Sequence, residues 1–574
     1  MPYGLGAVSL AKLAVYTLEA AVASSAVVAR PELRATVSSG QIACLLTYAG
    51  FFALWTYAEL VDFTRRGRKS SLQDEENGPN KESPPVMQPL GANQIDLQLP
   101  DSNKDAVAEA GVAKSGLMRC LALDHQALVE CKGALKAVVE CCTILLWFYV
   151  ADRTSVFEYG SKSYSRDVLG FIFLGLTLVA LFTSLKQCRV PVLLNRQQTE
   201  EWKGWMQVLF LLYHYFEAKE VYNAIRVFIA GYVWMTGFGN FSYYYKTGDF
   251  AFPRFCQMMW RLNFLVVLVC IALQNNYMLY YICPMHTLFT IMVYAALGLG
   301  HRYNKSSAGI TCKLLISVAV VFLCWDVKPV FYAIWSPFQW LMGYSDPRNP
   351  TDDLLHEWYF RSSLDRYVWI HGMLFAYLHP SFEAALQRID KMSTKARLFI
   401  RTVITAVTLA LFAVWYHYIY SLPKREYNRV HPYTSWIPIT LWIVLRNVTP
   451  AMRHFSLSLY GWLGCITLET YISQFHTWLA TGVPNGQPKM LLTFFPAHYP
   501  LLNFAASTAV YVFVSHRLFI VTNDLKSVVI PSAKVSKLLW RNFGMMAVAV
   551  VVLYVAAYLI LRVLGINKRI LAGI

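Results

Sequence analysis
Apolar blocks close to 20 residues long recur along the whole chain, and no other feature restricts the fold so tightly. A helix needs about 20 apolar residues to cross the roughly 30 Å hydrocarbon core of a bilayer. Clear blocks run over 7–29, 41–63, 134–152, 168–185, 204–217, 222–238, 262–300, 308–325, 397–420, 433–447, 499–521 and 541–562, the 262–300 block being long enough for two spans. Those at 329–344, 366–379 and 459–480 are interrupted by Pro, Gly or charge and read as short, broken or re-entrant. The total is about 12 to 15 spans. Composition agrees: 56% of the residues are hydrophobic and 15% charged, where a soluble domain carries about a quarter charged. None of the blocks alternates as the strands of a membrane barrel do. The fold class is therefore all-α, a polytopic transmembrane helical bundle.

Three segments are expected. Residues 1–63 form two N-terminal transmembrane helices; the first block lacks a basic start and a clear cleavage site and reads as a retained span. Residues 64–130, with SSLQDEENGPNKESPPVMQPLGANQ, cannot bury enough apolar surface to fold and read as a disordered linker. Arg65, Arg66, Arg68 and Lys69 close to the second block place that linker in the cytosol. Residues 131–574 form the multispanning domain. Asn240, Asn304 and Asn447 begin glycosylation sequons, of which at least the first two fall on the cytosolic side, where no glycan is expected.

The formal charge of +17 is scattered over loop ends, which suits lipid head groups and excludes a nucleic-acid surface. Twelve cysteines contain no CxxC pair and no metal-ligand spacing, so they read as small apolar residues and no metal is expected.

With lipid as the solvent, ionisable side chains inside apolar blocks become the main functional signal, since a charge at the bilayer centre costs at least about 2.5 to 3.5 kcal/mol. Three stretches carry them. In EEWKGWMQVLFLLYHYFEAKE, residues 200–220, helical spacing puts Gln207, His214 and Glu217 on one face. His214 falls roughly 16 Å along the helix from Lys203, well inside the membrane, where an imidazole serves interhelical packing, proton shuttling or nucleophilic attack. In EWYFRSSLDRYVWIHGMLFAYLHP, residues 357–380, a continuous helix would align Glu357, Arg361, Asp365 and His371. That stripe is either a structural ion-pair ladder or part of a site. In SLYGWLGCITLETYISQFHTWLATGVP, residues 458–484, Glu469, Ser473 and His476 fall on a third face. Two histidines and several carboxylates in a helical bundle suit acyl transfer or proton transfer, and the residues alone do not choose between them.

The runs EEWKGWMQVLFLLYHYF, FGNFSYYYKTGDF, RLNFLVVLVC, EWYFRSSLDRYVWIHGMLFAY, LETYISQFHTWLA and VTNDL, in this order between about residues 200 and 535, resemble the multispanning acyltransferase domain of eukaryotic sialic acid and polysaccharide O-acetyltransferases. CPMHTLF at 283–289 and the two spans before the domain are similar to the plant REDUCED WALL ACETYLATION family. The resemblance implies an acetyl-CoA-dependent O-acetyltransferase in the Golgi membrane, serving wall polysaccharides such as xylan, mannan, xyloglucan and pectin. Relatives that modify sialic acid carry a luminal hydrolase-like domain with a Gly-Asp-Ser motif, which does not occur in this sequence. A separate luminal transferase, by resemblance a trichome-birefringence-like protein, would then deliver acetyl to the polysaccharide acceptor.

On that reading His214 is the first candidate for nucleophile or general base, followed by His371 and His476. Glu469 would orient a histidine, and Glu357 joins the catalytic candidates. Arg361 or Arg366 would steady an oxyanion or a cofactor phosphate. Arg261, Lys203, Trp205 and Gln207 complete the candidate contacts to acetyl-CoA. Two other classes fit the same residues: a transporter of acetyl-CoA or acetyl groups without catalysis, and a non-catalytic Golgi scaffold for transferases.

Overall fold
The computed structural model describes residues 37–76, 124–188, 192–347, 353–496, 498–530 and 536–565. The expected span at 7–29 and most of the expected linker lie outside them. Regular structure among the described residues is nearly all helix. Eight helices are long and apolar enough to cross a membrane: Ser39–Gly67, Lys132–Arg153, Arg166–Ser184, Phe252–Leu273, Ser307–Asp326, Thr394–Tyr420, Pro500–Val529 and Lys537–Val563. Arg196–Phe216, Tyr222–Thr247 and Val368–Asp390 have 21, 26 and 23 residues but are more polar, and Ile282–Gly298 is apolar but shorter. The block at 433–447 narrows to a 12-residue helix, Trp436–Asn447, and that at 329–344 breaks into short pieces as its prolines require.

The chain forms two compact units. One contains Val37–Thr143 and Val521–Arg569. Its helix Ser39–Glu76 runs 12 residues past the expected start of the linker at 64, and His125–Glu130 is helical too, its N-terminus capped by the Asp124 carboxylate, which accepts from Gln126 N–H at 3.0 Å. Ala58, Ala127, Leu128 and Leu135 form a small buried cluster, flanked by Lys132 bridging Asp62 at 2.8 Å and Glu59 at 2.6 Å.

The larger unit includes Ile144–Ile520. Arg196–Phe216 packs against Ser458–Cys465, and Tyr222–Thr247 against Val368–Asp390. Both crossings are close because small residues let the backbones meet, the usual device between membrane helices. A Cβ on Gly204 would stand 1.8 Å from the carbonyl oxygen of Tyr460, and one on Gly464 2.0 Å from that of Glu200.

Two interruptions in this unit decide where the polar residues point. The helix expected over 357–380 is split at Asp365–Tyr367 into His356–Leu364 and Val368–Asp390. The block at 459–480, expected to be short, broken or re-entrant, is cut after Cys465, resumes at Thr467–Ser473 and then widens into a π turn, Gln474–Trp478. Such turns concentrate at functional sites. Short strands complete the unit: Met490–Thr493 pairs antiparallel with both Glu158–Ser161 and Leu479–Ala480, and Leu185–Gln187 with Phe455–Leu457.

Candidate active site
His214 occupies the last turn of Arg196–Phe216. The side chain of Asn195 caps the start of this helix by accepting from Gln198 N–H at 2.8 Å. At the other end the chain leaves through Glu217 at φ 54°, a left-handed conformation that costs a residue with a side chain and recurs where function fixes the backbone. His214 is thus at the end of its helix rather than deep along it: the rise from Lys203 is as expected, but the helix stops two residues later. Lys162 ties this end down. Its ammonium donates to the carbonyl oxygens of His214 at 2.9 Å and Pro488 at 2.6 Å, satisfying one of the carbonyls a helix terminus leaves open. Burial lowers the Lys162 amine from the ordinary 10.5 to about 8, with Glu217 acting in the opposite direction.

A cavity of about 320 Å³ opens beside this helix end, lined by His214, Lys162, Tyr213, Tyr281, Glu357 and Arg361, with Arg226 and Lys489 further round. His214 Nδ1 stands 3.2 Å from Gln474 Oε1. Nε2 has no hydrogen-bond partner among the described residues and is not sealed from the cavity. The i,i+4 pair of the second stretch forms as its spacing implies: Arg361 Nε donates to Glu357 Oε2 at 3.0 Å, and the guanidinium lies 4.4 Å over the ring of Tyr281.

The other candidates lie elsewhere. Beyond the break at Asp365–Tyr367 the stripe fans out. Asp365 accepts from Arg226 at 2.8 Å and faces His431 at 3.4 Å. Arg366 holds Asp326 at 2.8 and 3.0 Å and donates to the Tyr433 hydroxyl. His371 Nδ1 accepts from Trp234 Nε1 at 2.9 Å, with Thr440 at 3.4 Å on Nε2.

The third face does not converge on the cavity either: Glu469 and Ser473 lie on Thr467–Ser473 and His476 in the π turn that follows. Glu469 does not touch an imidazole; both its oxygens take the guanidinium of Arg261. Ser473 bonds Ser515 at 2.6 Å. His476, fully buried, lies 2.6 Å from Asp152 through Nδ1 and 2.5 Å from the Tyr280 hydroxyl through Nε2, so both nitrogens are occupied. On the His214 helix, Lys203 pairs with Glu200 at 2.5 Å, Trp205 packs edge-on against Phe228 and Trp442, and Gln207 bonds Thr467, Thr470 and Tyr232 between helices. Trp205 and Gln207 join neighbouring helices, the Lys203 pair stays within its own helix, and none of the three is among the residues lining the cavity.

Of the sequence candidates, then, His214, Glu357 and Arg361 meet at one cavity. Lys162 and Gln474 join them unforeseen: a lysine in a polar loop and a neutral amide in an apolar helix give a sequence no reason to single them out. The arrangement offers an imidazole nitrogen with a free lone pair beside two cations able to hold developing negative charge. No group of three or more His, Cys, Asp or Glu among the described residues is placed to hold a metal ion.

Fold and site together define an integral membrane protein with an imidazole at the wall of a cationic, tyrosine-lined cavity. The family described as "10 TM Acyl Transferase domain found in Cas1p" matches residues 100–543, and the chain belongs to that family. Over 423 residues, 70% of this chain and 51% of the relative, it is 32% identical to the N-acetylneuraminate (7)9-O-acetyltransferase of Danio rerio. The chain spans about half the length of that curated relative. No solved structure matches it.

Proposed function
We propose that the chain is a membrane O-acetyltransferase that takes acetyl from cytosolic acetyl-CoA and passes it across the Golgi membrane for O-acetylation of wall polysaccharides such as xylan, mannan, xyloglucan and pectin. The observation that carries the reading is His214, whose Nε2 has no hydrogen-bond partner among the described residues and stands at the wall of the cavity. Family membership and the O-acetyltransferase named above support the reaction class. The plant wall-acetylation affiliation, the Golgi location and a trichome-birefringence-like luminal partner rest on the motif resemblance, CPMHTLF above all.

A free imidazole lone pair serves either of two routes. In the first, Nε2 attacks the thioester carbonyl, an oxyanion develops, the C–S bond breaks, and CoA leaves as a thiolate with acetyl on the imidazole. In the second, Nε2 takes the proton of an acceptor hydroxyl as that oxygen attacks the thioester carbonyl; the C–S bond then breaks, and CoA leaves as a thiol with the proton the imidazolium returns. Lys162 and Arg361 face either oxyanion as cations. Glu357, bonded to Arg361, sets the angle of its guanidinium.

Purified protein in nanodiscs, supplied with acetyl-labelled acetyl-CoA, tests the reading. Release of free CoA thiol, abolished by His214→Ala, is the expected result, and label retained on His214 selects the first route. Uptake of intact ester into vesicles without thiol release would replace the enzyme by a transporter, and silence in both assays would leave a scaffold.

A further inference from the structure
We propose that Gln474 is a positioning residue that holds His214 with its proton on Nδ1, making Nε2 the reacting nitrogen. The inference rests on the reading of His214 as base or nucleophile and names the device that prepares it.

A carboxamide has a donor end and an acceptor end, and the surroundings of Gln474 fix which is which. Its Nε2 donates to the carbonyl oxygen of Tyr471 at 3.1 Å, so Oε1 is the end that meets His214 at 3.2 Å. Turning the amide over would set its oxygen against the Tyr471 carbonyl, an acceptor against an acceptor. Oε1 only accepts, so Nδ1 must supply the proton; a neutral imidazole has one N–H, and Nε2 keeps its lone pair. Gln474 has no freedom to escape this role. It is completely buried, it opens the π turn Gln474–Trp478, and its backbone is tied on both sides, its N–H donating to the Thr470 carbonyl and its carbonyl accepting from the Leu479 N–H.

His476, two residues further on, has a carboxylate on Nδ1, and its other nitrogen is closed by Tyr280. Within five residues the chain thus holds one histidine as a sealed, carboxylate-bonded strut and orients another through a neutral amide, with its second nitrogen open. A neutral orienter suits a group that must return to the uncharged imidazole after each transfer, because it sets the tautomer without adding charge that would favour the imidazolium. The charged groups lining the cavity with His214 are Lys162, Arg361, Arg226 and Lys489 as cations and Glu357 and Glu217 as carboxylates, so cations are in excess. A carboxylate in place of the amide would therefore be a large local change.

The test uses the full chain in nanodiscs, acetyl-labelled acetyl-CoA, and thiol release followed against pH. Gln474→Glu, which keeps size and shape, is expected to move the acidic limb of kcat/KM to higher pH by about one unit or more. Gln474→Leu is expected to lower kcat at least about tenfold with KM little changed, because the imidazole no longer has a preferred tautomer. If His214→Ala is inactive while Gln474→Glu keeps the wild-type pH profile, the inference is overturned and the reading of His214 stands. If His214→Ala turns over normally, both fall. Should Gln474→Leu fail to give a monodisperse protein, the pH profile of Gln474→Glu alone decides.

Discussion

Replacing His214 by alanine should reduce thiol release by about 100-fold or more, the contribution expected of a positioned base or nucleophile. His371→Ala and His476→Ala should act through stability instead. His476→Ala removes one partner of the fully buried Asp152, which keeps Arg153, Thr481 and Gly482, and takes one from the Tyr280 hydroxyl; loss of these buried hydrogen bonds costs about 1 to 3 kcal/mol, and a thermal melt in detergent would register it, with turnover per folded molecule little changed. Lys162 gives a second residue-scale prediction. Its amine titrates near 8 rather than 10.5 because it is buried, so its positive charge is present below that pH and lost above it. Thiol release should decline as pH rises through about 8, and Lys162→Arg, which stays charged, should flatten that decline; an unchanged alkaline limb in the arginine variant would remove Lys162 from the charge-holding role. At this scale, what could be read from the sequence was what conflicted with lipid. His214, Glu357 and Arg361 were visible because a charge or imidazole in an apolar block is costly there, and i,i+4 spacing paired the last two correctly. Gln474 and Lys162 gave no such conflict, although one orients the imidazole and the other ties down the end of its helix.

At the scale of elements, length and apolarity made nearly every long helix recognisable, and Pro, Gly and charge marked the blocks at 329–344 and 459–480 as broken, but the form the breaks take was not legible. Glu469 and Ser473 share a face of Thr467–Ser473 and meet Arg261 and Ser515, whereas His476 lies in the π turn Gln474–Trp478 and meets Asp152. Nothing in the local propensities of QFHTW marks a π turn; it is set by the neighbours that capture each side chain. The glycine crossings were equally silent, since a glycine in an apolar helix becomes informative only when its facing backbone is known. Gly237 and Gly372 face one another's helices, and a Cβ would lie 2.0 Å from the Trp369 oxygen in the first case and 2.3 Å from the Trp234 oxygen in the second. Because backbone cannot retreat as a side-chain tip can, Gly237→Val or Gly204→Val should force the crossing apart and destabilise by about 1 to 3 kcal/mol or more. Gly175→Val, where nothing lies within 4 Å, is the matched control and should leave the detergent melting temperature nearly unchanged. Equal melting temperatures for all three would refute the close crossings.

Across the larger unit, the cavity and the densest basic residues belong to opposite ends of Arg196–Phe216. His214 and Lys162 meet at its C-terminal end, where Lys162 also binds Pro488, next to the exposed Lys489. At its N-terminal end Glu201 takes Arg446 at 3.1 Å, and the chain leads through Arg453 to Asp390, which also holds Arg401 at 2.5 Å. Arg388, Lys391, Lys395 and Arg397 cluster around that carboxylate in sequence. Basic flanks stay cytosolic, so the cavity mouth should face away from the cytosol, and the thioester of a cytosolic acetyl-CoA has to be threaded most of the length of the 21-residue helix, about 30 Å, to reach His214. Cysteines introduced one at a time at Lys395 and Lys489, in a background lacking the exposed Cys312, test this orientation with a membrane-impermeant maleimide. In sealed vesicles with the cytosolic face outward, Lys395→Cys should be labelled at once and Lys489→Cys only after detergent opens the membrane. Labelling of Lys489→Cys in sealed vesicles would turn the cavity toward the cytosol, give the donor direct access to His214, and move the transmembrane step from the acetyl group to whatever accepts it.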